Sequence, residues 1–200
     1  MTKIKICGLF RDVDAKYIND SKPDYAGFVI GVPKSKRNID YNTAERLREL
    51  INKNIPTVGV FVNHPVENIA SLVNDGIISI VQLHGSEDDV YIEKLREFVP
   101  TTEIWKAFVL KTEKDIKTAN RSTADKVLLD SGTGCGKLFD WSVLRGINRE
   151  FILAGGLNSE NIPLAVSQVH PFAVDLSSGI ETNGVKDADK IDSAVKSVRC

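Results

Sequence analysis

Cys7 and Asp130 are the two side chains best placed to move protons, because each closes an apolar run at the point where a glycine or hydroxyl residue takes over. Cys7 stands in Lys5-Ile6-Cys7-Gly8, and Asp130 ends Val127-Leu128-Leu129-Asp130. A carboxylate at the end of such a run is a costly buried charge unless it has a task or a partner. Strand alternation puts Lys3, Lys5 and Cys7 on one face and Ile4 and Ile6 on the other, so a Cys7 that faces a site brings Lys5 with it. The ammonium would favour thiolate, whereas a bound anion would oppose it. Each residue also has a plainer reading. Cys7 can be a small buried hydrophobe, and Asp130 can cap the glycine-rich loop that follows it.

Two later glycine segments suit an oxyanion. Gly155-Gly156 follows Phe151-Ile152-Leu153-Ala154, and Ser177-Ser178-Gly179 follows Phe172-Ala173-Val174-Asp175-Leu176. Glycine lets a backbone amide approach closely, and amides with hydroxyls at a helix start form a phosphate cradle. Gln82 and His84 share a face before Gly85; a lone histidine is by default a hydrogen-bonded structural residue. The run Pro33-Lys34-Ser35-Lys36-Arg37 reads as a solvated surface, or as a site where Arg37 forks onto a carboxylate. Ser131-Gly132-Thr133-Gly134-Cys135-Gly136-Lys137 only looks like a nucleotide loop, since Ser131 and Leu138 replace the glycine and the hydroxyl residue that motif requires. No H-E-x-x-H, G-x-S-x-G or C-x-x-C occurs, which argues against zinc hydrolysis, serine hydrolysis and dithiol redox chemistry.

The elements that must position these residues repeat about every 20–25 residues as an apolar strand followed by a helical pattern. The expected strands are Ile4-Cys7, Tyr25-Ile30, Thr57-Val62, Ile78-Leu83, Ile104-Val109, Lys126-Asp130, Phe151-Ala154 and Phe172-Leu176. Helix two carries Ala44, Leu47, Leu50 and Ile51 behind an Asn42 cap, helix four carries Tyr91, Leu95 and Phe98, helix seven is capped at Asn158, and helix eight follows Asp187. Helices five and six have weak patterns. Eight βα units imply an α/β fold, a (β/α)8 TIM barrel spanning residues 1–200 as a single domain of near-minimal length. An open doubly wound sheet is the rival, but a dinucleotide fold would show G-x-G-x-x-G where this chain has Cys7-Gly8-Leu9-Phe10.

Composition narrows the function class. The 200 residues are 42% apolar with a net charge of -1, so no global field recruits nucleic acid or an anionic membrane, and an anionic ligand needs a local cluster. Cys7, Cys135 and Cys200 are odd in number and far apart, which fits reduced thiols rather than disulfides or a metal cluster. The N-terminus lacks a signal-like apolar stretch and no run is long enough to span a bilayer, so a cytoplasmic location is expected. Oligomeric state is open between monomer and homodimer.

Together these residues resemble the phosphoribosylanthranilate isomerases of tryptophan biosynthesis. The likeness covers nearly the whole chain through Lys5-Ile6-Cys7-Gly8-Leu9, Pro33 to Arg37, Gly59-Val60-Phe61-Val62-Asn63, Val81-Gln82-Leu83-His84-Gly85, Leu128-Leu129-Asp130, Phe139-Asp140-Trp141, Ala154-Gly155-Gly156-Leu157 and Pro171 to Gly179. The resemblance implies a cofactor-free, metal-free Amadori rearrangement of a phosphorylated aminoaldose, with Asp130 as general acid and Cys7 as general base. It further implies that Arg37 meets the anthranilate carboxylate, Asp175 the anthranilate amino group, and amides near Gly155-Gly156 and Ser177-Ser178 the phosphate. His84 joins this set as a substrate-side residue. Phe10, where the family commonly has threonine, and Thr133-Gly134-Cys135-Gly136 depart from the family pattern. The rivals are a sister phosphoribosyl isomerase of histidine biosynthesis, which normally has aspartate where Cys7 stands, and a non-catalytic barrel that keeps only the phosphate cradle.

Overall fold

The computed structural model describes residues 1–110, 112–130 and 141–199. The Ser131 to Lys137 loop, Phe139-Asp140, Cys135 and Cys200 lie outside them.

All eight expected strands form, within two residues of the expected ends: β1 Lys3–Cys7, β2 Tyr25–Ile30, β4 Thr57–Phe61, β5 Ile80–Leu83, β6 Glu103–Val109, β7 Lys126–Asp130, β8 Phe151–Ala154 and β9 Ala173–Leu176. They run parallel in the order β1-β9-β8-β7-β6-β5-β4-β2, and pairing of Lys5 with Tyr25 and Cys7 with Gly27 closes β2 onto β1. The result is a closed barrel. Two short additions, β3 (Asn38–Ile39) beside β2 and the hairpin β10 (Glu181–Thr182) with β11 (Val185–Lys186), decorate its C-terminal rim.

Both faces of each strand are covered, which is why the strands read as continuous apolar runs. Residues pointing outward join the main core beneath the helices, with Ile4, Ile6, Phe28, Phe61, Val81, Leu83, Ile104, Val127, Leu129, Leu153 and Val174 all buried. Residues pointing inward form a second, smaller core of Tyr25, Val58, Ile80, Trp105, Leu128, Ile152 and Ala173. One step further along the same inward face come Cys7, Gln82, Asp130 and Asp175. The two-residue period therefore fills the lower barrel with apolar groups and delivers polar groups to its mouth.

Among the described residues seven α-helices flank the barrel: α1 Asp12–Ser21, α2 Tyr41–Leu50, α3 Val66–Asn74, α4 Asp89–Phe98, α5 Glu113–Arg121, α6 Ile162–Val169 and α7 Ala188–Arg199. Between β7 and β8 the described residues hold only a 3₁₀ stretch, Trp141–Gly146. Helix two starts at Tyr41 with Asp40 as its cap, accepting from the Thr43 amide at 2.9 Å; Asn42 lies inside the first turn. Asn161 rather than Asn158 precedes α6, because Pro163, which has no amide hydrogen, suits the first turn. Asn158 instead caps the turn before it, accepting from the Glu160 and Asn161 amides. On α4 the buried stripe is Ile92 and Leu95, and Phe98 is exposed. Asp187 caps α7 as expected, through the Asp189 and Lys190 amides.

Candidate active site

A cavity of about 370 Å³ opens at the C-terminal end of the barrel strands. It is lined by Cys7, Arg37, His84, Asp130, Gly155, Gly156, Asp175, Ser177 and Ser178, so every site residue expected from the sequence meets around one space. Val32, Val60, Val62 and Leu157 supply an apolar wall.

The strand register builds the centre of the site. Lys5 lies opposite Asp175 in the β1–β9 pairing, and its Nζ donates to Asp175 Oδ1 at 2.9 Å. Lys5 is fully buried directly below Cys7. Burial acts against its ammonium, but the Asp175 carboxylate and Cys7 outweigh it and raise the Lys5 pKa. Burial pushes the Cys7 thiol up; Lys5 opposes that push, Asp175 adds to it, and the net direction is upward. The expectation that Lys5 favours thiolate is right in sign, but the apolar surroundings and Asp175 prevail over it. Lys5→Met should therefore raise the Cys7 pKa further and cut the thiolate fraction near neutral pH about tenfold or more. Thiol titration by alkylation rate against pH checks this, and an unchanged profile would refute it.

Asp130 ends β7, three strands round the barrel from Cys7, with its side chain 26% exposed toward the cavity. The complete burial suggested by the run Val127-Leu128-Leu129 stops one residue short. His84 Nε2 lies 3.8 Å from Asp130 Oδ2, and His84 Nδ1 is 3.1 Å from Gln82 Nε2. Burial pulls the His84 pKa down against the opposing pull of Asp130, which favours the neutral imidazole. The Gln82 amide holds His84 through Nδ1 and leaves Nε2 facing Asp130. His84 is thus hydrogen-bonded, as its default reading has it, and also lines the cavity.

The loop carrying His84 is pinned from below. Lys106 Nζ donates to the Gly85 carbonyl at 2.7 Å and to Glu87 Oε2 at 3.2 Å, while Glu87 accepts from the Gly85 and Asn63 amides. Both members of this ion pair are buried. No motif in the sequence points to them, because their effect arises only once β5 and β6 lie side by side.

Gly155 and Gly156 adopt φ of 99° and 66°, backbone that side-chain-bearing residues rarely take. A Cβ on Gly179 would sit 1.9 Å from the Leu157 carbonyl oxygen, so glycine is what allows the two late loops to touch. The segment after β9 is a single 3₁₀ turn, Ser178–Ile180, rather than the start of a long helix. The Ser177 hydroxyl donates to the Cys7 carbonyl at 3.1 Å, tying this loop to β1 instead of standing ready for an anion.

A carboxyl and a thiol thus line one cavity beside a glycine cradle, and the chain's relatives bear on what that arrangement is for. The family described as N-(5'phosphoribosyl)anthranilate (PRA) isomerase matches residues 4–197. The chain belongs to this family. The N-(5'-phosphoribosyl)anthranilate isomerase of Endomicrobium trichonymphae is 49% identical over 205 residues, covering 100% of this chain and 99% of the relative. The crystal structure of mutually generated monomers of the dimeric isomerase from Thermotoga maritima is similar with a TM-score of 0.86 and 37% identity, over 100% of this chain and 99% of that one. An isomerase crystallised with reduced 1-(o-carboxyphenylamino)-1-deoxyribulose 5-phosphate gives a TM-score of 0.84 at 36% identity, with the same coverage. The family's members are aldose–ketose isomerases of tryptophan biosynthesis.

Among the isomerase-like features of this site, the surroundings of Arg37 differ most from what the sequence suggests. Arg37 is not a solvated loop residue. It forms a forked ion pair with Glu181, Nε to Oε1 at 2.6 Å and Nη2 to Oε2 at 2.7 Å. Lys186 Nζ joins the same carboxylate at 2.7 Å. Burial works against the Glu181 charge, but Arg37 and Lys186 prevail and lower its pKa. Neither Glu181 nor Lys186 is legible as a site residue in the sequence, since 144 positions separate Glu181 from the arginine it holds. Among the described residues no cluster of histidine, cysteine, aspartate and glutamate could hold a metal ion, and no helix is long and apolar enough to cross a membrane.

Proposed function

We propose that the chain converts N-(5'-phosphoribosyl)anthranilate to 1-(2-carboxyphenylamino)-1-deoxyribulose 5-phosphate, with Asp130 as general acid and Cys7 as general base. The observation that supports this most is the meeting of Cys7 and Asp130 in one cavity beside the Gly155-Gly156 and Ser177-Gly179 backbone.

Asp130 gives its proton to the furanose ring oxygen as the bond from C1' to that oxygen breaks, and the anthranilate nitrogen lone pair forms the protonated Schiff base. The Cys7 thiolate then removes the C2' proton. The electron pair of that bond flows to the C1'–N system, discharging the nitrogen cation and giving the enolamine. Moving the 2'-hydroxyl proton to C1' yields the aminoketose, and the proton held by Cys7 is returned to Asp130 by exchange with solvent. Asp175, with Oδ1 engaged by Lys5, has its second oxygen for the anthranilate N–H and stabilises the cationic nitrogen of the intermediate. Phosphate binds the backbone of the two late loops, which fixes the ribose between acid and base.

The decisive test mixes the protein with phosphoribosylanthranilate and follows loss of substrate fluorescence while identifying the product by mass and retention. Catalytic conversion to the carboxyphenylamino ketose is expected. Saturable binding of the reduced product analogue without turnover would leave a binding barrel and overturn the proposal.

A further inference from the structure

Arg37 reaches the cavity by passing directly over Gly8, where a Cβ would lie 2.3 Å from Arg37 Cδ. The guanidinium that arrives there is gripped along one edge, through Nε and Nη2, by the two oxygens of Glu181. Glu181 is 7% exposed and is itself anchored by the fully buried Lys186, whose Nζ also donates to the Ser177 carbonyl at 3.0 Å. Ser177 in turn holds the Cys7 carbonyl. One chain of contacts therefore runs from the arginine to the loop beside the thiol.

From this geometry we propose that Glu181 is a positioning and specificity residue: it takes the Nε/Nη2 edge of Arg37 and so presents the Nη1/Nη2 edge to the aromatic carboxylate of the substrate. The inference rests on the reading that Arg37 receives that carboxylate. A guanidinium is planar and can fork onto carboxylates along more than one edge, so filling one edge fixes the plane of the other. An arginine already held in its working rotamer loses less freedom when the ligand arrives. Charge favours the same role. Two cations, Arg37 and Lys186, share the single Glu181 carboxylate, so the trio keeps one net positive charge with which to attract an anion. An isolated Arg–Glu pair would be neutral and would present its own carboxylate as a competitor.

The test compares Glu181→Gln, Glu181→Asp, Arg37→Ala and the Arg37→Ala/Glu181→Gln double variant. Each is titrated with the reduced product analogue and with its phenylamino counterpart lacking the carboxylate, alongside steady-state kinetics. Glu181→Gln should weaken the carboxylated ligand roughly tenfold relative to the counterpart, with the kinetic loss falling on KM more than on kcat. In the Arg37→Ala background the same change should add no further selectivity loss. Glu181→Asp keeps the charge that Lys186 needs but is too short to hold both arginine nitrogens in place; it should show a smaller loss of the same kind, which covers the case in which the glutamine variant folds poorly. Equal weakening of both ligands by Glu181→Gln and Glu181→Asp would overturn the inference. If Arg37→Ala itself leaves selectivity intact, the carboxylate reading of Arg37 has failed, and that outcome is distinct from a Glu181 failure in which Arg37→Ala matters and the Glu181 variants do not.

Discussion

Asp130→Asn should lower kcat by about 10²- to 10⁴-fold, the usual worth of a general acid, with little change in affinity for the reduced product analogue. Asparagine matches aspartate in shape and can still accept a hydrogen bond, but it has no carboxyl proton to give to the ring oxygen. Without that proton the ring must open with an alkoxide leaving group, and the barrier rises at that step. The loss should appear equally in kcat and kcat/KM, the sign of an interaction made only in the transition state. The competing role for Asp130, a cap for the loop after β7, predicts a different result. Asparagine caps about as well as aspartate, so in that role the substitution would leave both stability and the chemical step nearly unchanged. Stopped-flow turnover and urea denaturation of the same preparations separate the two. Near wild-type kcat in a variant with an unchanged denaturation midpoint would eliminate Asp130 as the acid.

Much of this site is legible in the amino-acid sequence, for a physical reason. A parallel strand covered on both faces is apolar until it reaches the barrel mouth, so the first polar or glycine residue at its end marks the catalytic rim. Asp130 and Gly155 stand out in that way, Cys7 by the glycine that follows it, and two-residue alternation groups Lys5 with Cys7, whereas Asp175 is singled out only by the family resemblance. The pairing of Lys5 with Asp175 is not legible. It depends on β1 lying next to β9 in one register, with 170 positions between the partners. The same holds for Arg37 with Glu181 and for Lys106 with Glu87, where a charge looks like surface until its partner is known. Helix starts are misplaced where two cap-forming residues stand close together, as with Asp40 and Asn42, because either side chain can cap and only the backbone path chooses. Of the two weak helical patterns, the fifth forms a regular α-helix, α5, and the sixth corresponds to a 3₁₀ stretch in the described residues, so weak periodicity does not by itself decide between them.

Cys7→Ser should cut kcat by about 10²- to 10⁴-fold, because a serine hydroxyl stays protonated where a thiol can ionise. The environment of Cys7 makes the accompanying pH dependence specific. Burial raises the thiol pKa, and although Lys5 opposes this, the net shift is upward. Near neutral pH most of the enzyme then carries a protonated Cys7, and kcat/KM should climb with pH until it levels above the ordinary thiol value. The few thiolates present at lower pH are stronger bases than an unshifted thiolate would be, which partly offsets their scarcity. Burial acts against the charge of Lys5, but Asp175 and Cys7 raise its pKa overall. The serine variant should lose the alkaline rise together with the rate. Linkage adds a constraint on the measurement. A raised thiol pKa means the fold prefers the protonated form, so that contribution is full below the unfolded thiol pKa and is lost as pH rises through the folded one. Rates at high pH therefore need circular dichroism on the same samples. A serine variant that retains the wild-type alkaline limb would transfer the base role to another group, and one that retains wild-type kcat would return Cys7 to its plainer reading as a small buried hydrophobe.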